Sequence, residues 1–299
     1  MLSPMDPAPT LDFYTDAAEF LDVADDYLSA NPVLVSVVAS VAGRAAKHGP
    51  LKTPYAWWAV ARMEGETVGV AMRTAPFEPY PLYVSPLPEA AAIEVARVLH
   101  ERGEHPGGVN GSLPAARSVA EESARLWGGT VETAMATRLW ELADLVVPEG
   151  VSGEARAATY ADLDVCLAWF NDFGRAARDQ AGNADSAHGE EHHDEDGMRQ
   201  RIDDGRILLW EDAGEVVHLT GFSARALGAA RIGPVYTPKE RRGRGYASAA
   251  VAEVSRRLLE AGARVCLFTD QDNPVSNHVY AKLGFRPLVD MANHTVSRR

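Results

Sequence analysis

The sequence predicts an α/β protein built from two similar domains, and three observations support this prediction. The chain has 299 residues, whereas a single domain usually has about 100–200. Strand-like and helix-like segments alternate along the chain, as they do in α/β folds. The same order of elements, namely hairpin, strand, helix, strand, helix and strand, occurs twice, which indicates an internal duplication.

The first domain is predicted over residues 1–150. Apolar residues among acidic ones predict a helix over residues 11–29, and Asn31 before Pro32 has the form of an N-cap for a helical stretch to residue 47. A hairpin with strands at 55–63 and 67–74 turns at Glu64-Gly65-Glu66. The remaining elements are a strand at 80–85, a helix at 88–102, a short strand near 108–110, a helix at 114–127, and one or two strands over 130–145.

The second domain is predicted over residues 151–299, after a linker at 148–153 that contains Pro, Ser and two Gly. A strand at 154–159 leads into a helix through residue 173, and Thr159 with Asp162 resembles a capping box at its start. The later elements are a hairpin at 207–212 and 216–224, a strand at 231–236, a helix at 247–260, a strand at 265–270, a helix at 274–283, and final strands from residue 284.

Short sequence matches support the duplication. Val84-Ser85-Pro86 aligns with Tyr236-Thr237-Pro238, and Leu126-Trp127-Gly128 aligns with Lys282-Leu283-Gly284. The copies differ after the first of these matches. The second copy has a glycine-rich stretch, residues 239–245, before its next helix, and the first copy has none.

Composition restricts the class of protein. The chain is 46% hydrophobic and 24% charged, which excludes collagen, disordered chains and disulfide scaffolds. Its 42 acidic and 29 basic side chains give a net charge of -13, which argues against nucleic acid as a partner and favours cationic ones. Cys166 and Cys266 lie in apolar runs and are predicted to be reduced core residues.

No targeting or membrane segment is expected. The N-terminus has no positively charged n-region, and the longest apolar run, residues 33–43, is too short to cross a bilayer. We therefore expect a cytoplasmic protein without a membrane partner.

The strongest chemical signal is the turn Arg242-Gly243-Arg244-Gly245 between a strand and a helix. Such a turn directs backbone N–H groups into one concavity at a helix N-terminus, where a phosphate or pyrophosphate binds well. A tight connection with incidental arginines is the alternative. The spacing lacks the Gly-Lys-Ser/Thr of a nucleotide P-loop and the three glycines of a dinucleotide fingerprint.

The segment from Arg242 to Ala247 resembles the acyl-CoA pyrophosphate loop of the GCN5-related N-acetyltransferases (GNAT), which is Gln/Arg, two residues, Gly, one residue, Gly/Ala. A second element, Asn273, Asn277, Tyr280 and Leu283-Gly284-Phe285, resembles the second signature of that family. The resemblance covers residues 154–296 and is strong over 232–285. It implies two GNAT-like domains, each a mixed, mostly antiparallel sheet flanked by helices, with a degenerate first copy in which Ala124 stands where Tyr280 would fall.

The resemblance also implies a set of site residues. The strand before the loop would pair with the pantetheine arm of acyl-CoA, and an N–H near Val235 would polarise the thioester carbonyl. Tyr280 would protonate the leaving thiolate, although a tyrosine on an amphipathic helix can equally be a core residue. The acyl-CoA-binding residues are Val235, Tyr236, Thr237, Arg242, Gly243, Arg244, Gly245, Tyr246, Ala247, Ser248, Asn273 and Asn277.

The general base is the least determined role. Asp270, at the end of a strand, is the first candidate, and capping of the strand end or a salt bridge to Arg242 is its structural alternative. Glu211 and His218 are weaker candidates. Asn273 and Asn277 have alternatives as well, as a turn residue before Pro274 and a helix surface residue.

The acidic stretch at 188–196, His-Gly-Glu-Glu-His-His-Asp-Glu-Asp, permits several interpretations. Two histidines four residues apart have a metal-ligand spacing on a helix, but Gly189 stands where a zinc protease needs Glu. An acidic rim that attracts a cationic amine and a solvated helix start are the others. No metal is expected.

The expected function is transfer of an acyl group, most simply acetyl, from acyl-CoA to a primary amine by direct attack, with acetyl-CoA as co-substrate. The acceptor would be a small molecule or a protein, cationic amines included. The alternatives are acylation of an amine on a low-molecular-weight thiol conjugate and a non-catalytic acyl-CoA sensor. The sequence does not indicate the oligomeric state.

Overall fold

A computed structural model describes residues 8–298 of the chain, apart from 50, 52, 54, 77 and 182–192. The chain forms two compact units. The first ends at Arg138 and takes in the residues from Val289 onward, and the second is Leu139–Leu288. The predicted boundary at residue 150 therefore moves to residue 138, and the end of the chain returns to the first unit.

The reason for this difference is strand pairing. The last strand of the chain, β12 (Phe285–Ser297), pairs with β5 (Gly108–Ser112) of the first unit, with Met291 opposite Ser112 and Thr295 opposite Gly108. Residues 148–153, predicted as a linker, lie within the second unit. Turn residues mark a break in secondary structure, but they do not show whether the break lies inside a domain or between two domains.

The first unit has the strand order β1-β2-β3-β4-β5-β12, in which all neighbours are antiparallel except the β4–β5 pair. Alternate residues of β2 face two cores: Trp57 packs with α3 and α4, and Trp58 packs with α1 and α2. The elements are β1 (Thr10–Tyr14), α1 (Ala17–Ala30), α2 (Ser36–His48), β2 (Trp57–Met63), β3 (Glu66–Arg73), β4 (Leu82–Val84), α3 (Glu89–Glu101), α4 (Ala115–Trp127) and β6 (Thr130–Leu142) up to Arg138.

The predictions for the start of the chain were partly wrong. Thr10–Tyr14 is an edge strand that pairs with β2, and the helix begins only at Ala17. Asp16 caps that helix, since its carboxylate accepts the amides of Ala18 and Glu19. Asn31 closes α1 instead of opening α2, because its N–H donates to the Leu28 carbonyl.

The second unit has the strand order β7-β8-β9-β10-β11, followed by the last residues of β6. Within β7 to β11 the neighbouring strands are antiparallel, except for β10 and β11, which are parallel. The elements are β7 (Glu154–Ala157), α5 (Leu163–Ala181), α6 (Glu195–Asp203), β8 (Ile207–Asp212), β9 (Glu215–Phe222), β10 (Ala229–Tyr236), α7 (Tyr246–Glu260), β11 (Arg264–Asp270) and α8 (Pro274–Lys282). The predicted class, two α/β domains with mixed, mostly antiparallel sheets flanked by helices, is confirmed.

Local predictions in this unit hold as well. The capping box before α5 is present, and Asp162 accepts the Thr159 amide at 2.8 Å. Cys166 and Cys266 are free and buried. Within the described part of the chain, no helix has the length and apolarity needed to cross a membrane.

The two central parallel strands of the second unit separate towards their carboxyl ends. Residues 229–232 of β10 pair with residues 264–267 of β11, and the β10–β9 register shifts between Ile232 and Val235. The equivalent strands of the first unit, β4 and β5, stay paired to the end of β4, with Val84 opposite Gly111. The opening between the strands thus distinguishes the second unit from the first.

Candidate active site

A cavity of about 290 Å³ lies in the second unit where β10 and β11 separate. It is lined by the ends of both strands, the turn before α7, and residues of α5 and α8. Its lining includes every predicted catalytic or acyl-CoA-binding residue except Asn277: Val235, Tyr236, Thr237, Arg242, Gly243, Arg244, Gly245, Tyr246, Ala247, Ser248, Asp270, Asn273 and Tyr280. Residues 45 positions apart in the sequence are thus brought to one cavity.

Both glycines of the turn before α7 have a left-handed backbone conformation. Gly243 and Gly245 have φ of 79° and 85°, a region that L-residues rarely adopt. Gly245 is the N-cap of α7, and its carbonyl accepts the amide of Ala249. The amides of residues 246–248 belong to the first turn of the helix, where no intrahelical acceptor exists, so they are available to a ligand.

Tyr246 anchors this turn to the sheet. Its side chain is buried, and its hydroxyl donates to Asp212 Oδ2 at 2.5 Å, while Ser152 Oγ donates to the same oxygen at 2.9 Å. The Tyr246 hydrogen bond lowers the pKa of Asp212. Because the Tyr246 hydroxyl is already bonded to Asp212 and the ring is buried, only the backbone of Tyr246 can contact a ligand. Its predicted acyl-CoA-binding role is therefore limited to the backbone amide.

Arg242 joins the turn to the end of β10. Its Nε donates to the Thr237 carbonyl at 3.0 Å. The alternative considered for Asp270, a salt bridge to Arg242, is not formed among the described residues. Arg242 therefore holds the end of β10 and the turn together.

Hydrogen bonds fix the side chains of Tyr236 and Thr237 at the end of β10. The Tyr236 hydroxyl donates to Asp172 Oδ2 at 2.6 Å, and burial, followed by this bond, raises the pKa of Tyr236 to about 12. Thr237 Oγ1 lies 2.7 Å from His218 Nδ1, and His218 Nε2 lies 2.7 Å from Thr220 Oγ1.

Neither of the weaker general-base candidates lines the cavity. His218 is fully buried, and its desolvation lowers its pKa to about 3, so it is neutral and a poor proton acceptor. Glu211 on β8 accepts the Arg156 Nε at 2.7 Å. The structure therefore does not place Glu211 or His218 where an acceptor amine could reach them.

Tyr280 lies on α8 with its ring against Phe285, at 5.9 Å between centroids. The side chain is 8% exposed and lines the cavity, and its hydroxyl has no hydrogen-bond partner among the described residues. Burial raises the pKa of Tyr280, so the phenol keeps its proton at neutral pH. The core and cavity interpretations are compatible, because the ring packs and the hydroxyl borders the cavity.

Asp270 and the two asparagines organise the loop after β11. Asp270 lines the cavity, and its Oδ1 accepts the Asp272 amide at 2.9 Å. Asn273 is the N-cap of α8 and lines the cavity as well. Asn277 donates to the Asp270 and Gln271 carbonyls at 3.3 and 3.1 Å, so the structure gives it a bracing role away from the cavity lining.

Other lining residues were not predicted. They are Phe173 and Ala176 on α5, Arg241 before the turn, Phe268 and Thr269 on β11, and Val275, Ser276 and Val279 on α8. Phe268 and Thr269 directly precede the predicted site residue Asp270 on the same predicted strand, and this position could have indicated them. The α5 residues could not be found from the sequence, because only tertiary packing shows which turn of a helix meets the sheet.

The acidic stretch is only partly described, since residues 188–192 lie outside the described residues. Its last part begins α6, where Asp194 caps the helix by accepting the Gly197 amide at 2.8 Å and Glu195 pairs with Arg199. Within the described ranges, no group of three His, Cys, Asp or Glu side chains could hold a metal.

Comparison with solved structures identifies the fold. The GCN5-related N-acetyltransferase of Sphaerobacter thermophilus superposes with a TM-score of 0.59 at 16% identity, covering 97% of this chain and 96% of that one. A GNAT-family acetyltransferase from Colwellia psychrerythraea gives 0.53 at 12% identity, with 97% and 100% covered. A tandem GNAT protein from the clavulanic acid biosynthesis pathway gives 0.52 at 15% identity, with 96% and 98% covered.

The chain is thus a protein of the GNAT fold, and the resemblance seen in the sequence is confirmed. More narrowly, residues 214–293, which include the glycine turn and Tyr280, match the model of the FR47-like protein family. A search of the curated proteins returns no match.

Proposed function

We propose that the second unit transfers an acyl group, most simply acetyl, from acyl-CoA to a primary amine. One observation carries the proposal: a single cavity is lined by the glycine turn, by the end of β10 that no longer pairs with β11, and by Tyr280. The solved proteins of this fold that bear acetyltransferase names agree with it.

The residues present suit the donor substrate. The pyrophosphate of acyl-CoA would lie on the free amides of the first turn of α7, with Arg242 and Arg244 beside it. The pantetheine arm would pair with the edge of β10 that β11 leaves open beyond Ile232. Gly243 and Gly245 both have a positive φ, which other residues adopt only with strain, and this explains the need for glycine in the turn.

The chemistry follows from the groups at the open edge. The amine nitrogen forms a bond to the thioester carbon, and the C–S bond breaks. The Val235 amide would stabilise charge on the carbonyl oxygen, and the departing sulfur would take the Tyr280 proton. The amine loses its own proton to a carboxylate or to water. Asp270 is the candidate base, since it lines the cavity.

The acceptor is proposed to be a small molecule or a protein amine. Cationic amines would be favoured if the acidic stretch borders the site, because the chain carries a net charge of -13. Replacement of Asp194, Glu195 and Asp196 by amides should then raise the acceptor KM, chiefly at low salt. An unchanged KM at low salt would show that these residues only start a helix.

The proposal is tested by thiol release from acetyl-CoA with a panel of amines, followed by mass spectrometry of the products. Tyr280→Phe keeps the ring against Phe285 and removes only the proton. We expect kcat to fall about 10²-fold, the low end for general acid catalysis, with acetyl-CoA affinity unchanged. A wild-type kcat, with chemistry limiting the rate, would remove Tyr280 from the mechanism. Acetyl-CoA binding without release of thiol to any amine would instead indicate a sensor.

A further inference from the structure

Thr269, on β11, has a buried hydroxyl whose hydrogen is left without an acceptor. Its side chain is 4% exposed, and its Oγ1 accepts the indole N–H of the buried Trp140 at 2.8 Å. An indole N–H can only donate, so the threonine oxygen must be the acceptor in this pair. The bond to Trp140 therefore leaves the hydroxyl hydrogen of Thr269 free to donate to another group.

The cavity is where this hydrogen can find a partner. Thr269 makes no second side-chain hydrogen bond within the part of the chain that the structure describes. A buried hydroxyl hydrogen without an acceptor is unfavourable. Thr269 lines the cavity between the separated ends of β10 and β11, so a molecule in the cavity can supply the acceptor.

Thr269 and Tyr280 line the cavity from the same face of the sheet. Val265 and Leu267, which precede Thr269 by four and two residues, pack in one core with Trp140 and Tyr280. Side chains alternate along a strand, and the bond to Trp140 places Thr269 on this face as well. Leu267 is opposite Ile232 in the strand register, so Thr269 follows where the two strands separate.

We propose that Thr269 is a second hydrogen-bond donor to the sulfur of acyl-CoA, beside Tyr280, and that Trp140 positions its hydroxyl. The proposal rests on the proposed acyl transfer, in which the Val235 amide of β10 takes the carbonyl oxygen. The sulfur is then left for the donors of β11 and α8. When the C–S bond breaks, its electron pair moves onto sulfur, which takes the Tyr280 proton, while Thr269 keeps its own.

The Thr269 hydrogen bond would strengthen as the reaction proceeds. A thioester sulfur is a weak acceptor, whereas the departing sulfur carries negative charge and accepts strongly. An interaction of this kind raises kcat and leaves the affinity for acetyl-CoA unchanged. The loss of one hydrogen bond to a charged group corresponds to about a 10-fold change.

Three variants test the hydroxyl in turnover with acetyl-CoA and an amine. Thr269→Val removes the hydroxyl at similar size, so kcat should fall about 10-fold while the Kd of acetyl-CoA stays the same. Thr269→Ser keeps the hydroxyl and should retain the wild-type kcat. Trp140→Phe removes the N–H that holds the hydroxyl, and kcat should fall less, about 3-fold.

Trp57→Phe is the matched control for Trp140→Phe. Trp57 is buried in the first unit, its indole donates to Glu104 Oε2 at 2.8 Å, and it is absent from the cavity lining. The control loses a buried indole N–H of the same kind and should keep the wild-type kcat. An equal loss of kcat in both tryptophan variants would remove Trp140 from the assignment.

A second measurement needs no turnover. It is calorimetric binding of CoA and of desulfo-CoA, which lacks the sulfur, at about pH 9, where a large part of a free thiol is ionised. The wild type and Thr269→Ser should prefer CoA, and Thr269→Val should reduce this preference about 10-fold. The Kd of desulfo-CoA should be the same in all three proteins.

Two results would overturn the assignment: a preference for CoA that is absent from the wild type or unchanged in Thr269→Val, or equal losses of kcat in Thr269→Val and Thr269→Ser. If the preference for CoA depends on Thr269 but no amine is acylated, the sulfur contact stands and the proposed transfer fails. If amines are acylated and Thr269→Val behaves as the wild type, the transfer stands and the sulfur contact fails.

Discussion

The conformation and surroundings of the glycine turn predict a stability difference between two similar substitutions. Gly243 and Gly245 have φ of 79° and 85°, so an alanine at either position is held in the left-handed region, at about 1–2 kcal/mol. A Cβ at Gly243 would meet nothing within 4 Å, whereas one at Gly245 would lie 2.9 Å from Val151 Cγ2. Gly245→Ala therefore adds a steric contact to the same conformational strain.

We expect Gly243→Ala to lower the free energy of unfolding by about 1–2 kcal/mol and Gly245→Ala by about 1 kcal/mol more. The assay is urea unfolding of the wild type, the two alanine variants, Val151→Ala and Gly245→Ala with Val151→Ala. The double variant should recover the additional loss, seen as a coupling energy of about 1 kcal/mol in the cycle. Equal stability of the two alanine variants, or a coupling near zero, would show that this contact does not constrain the turn.

The remaining predictions concern ligand stoichiometry and pH. Calorimetry should find one CoA site per chain, because the first unit lacks the opening between strands that the second unit has: β4 and β5 stay paired to Val84, and Leu87 is buried. Two equal sites would contradict this prediction. Hydrogen bonds from Arg156 lower the pKa of Asp162 from 3.8 to about 2, so this carboxylate stabilises the fold above about pH 4 and stops doing so as the pH falls towards 2. Asp162→Asn should accordingly be about 1–2 kcal/mol less stable than the wild type in urea at pH 6, and the gap should close near pH 2. Desolvation lowers the pKa of His218 from 6.5 to about 3, so protonation of this histidine in the unfolded chain destabilises the fold as the pH drops below 6.5, and it has no such effect above pH 6.5. In His218→Asn the urea midpoint should therefore depend less on pH between pH 6.5 and about 4 than it does in the wild type. The same dependence in both proteins would refute the assignment.

Much of the local structure was predictable because its causes are local. The capping box of Thr159 and Asp162, the turn at Gly214 and the helix after Gly245 all depend on neighbouring residues. The error at the start of the chain has the same origin. Residues 11–14 of β1 are predicted as part of the following helix, because a short strand becomes distinct only when a partner such as β2 pairs with it.

The candidate site was predictable to the extent that its residues form short patterns. The glycine turn and the segment from Asn273 to Phe285 are contiguous, and the structure places both at one cavity, with Asn277 as a brace. Phe173 and the buried hydrogen bonds that join Thr220, His218 and Thr237 carry no such pattern. Their importance depends on which residues face them across the sheet.

The sequence by itself determined the class of fold, the duplicated order of elements and the position of the glycine turn, because these follow from periodicity and from the conformational freedom of glycine. Tertiary structure alone decided that the last strand completes the first unit and that β10 and β11 separate after Ile232. Strand pairing and burial join residues far apart in the chain, and these long-range choices are made by the packing of the whole domain.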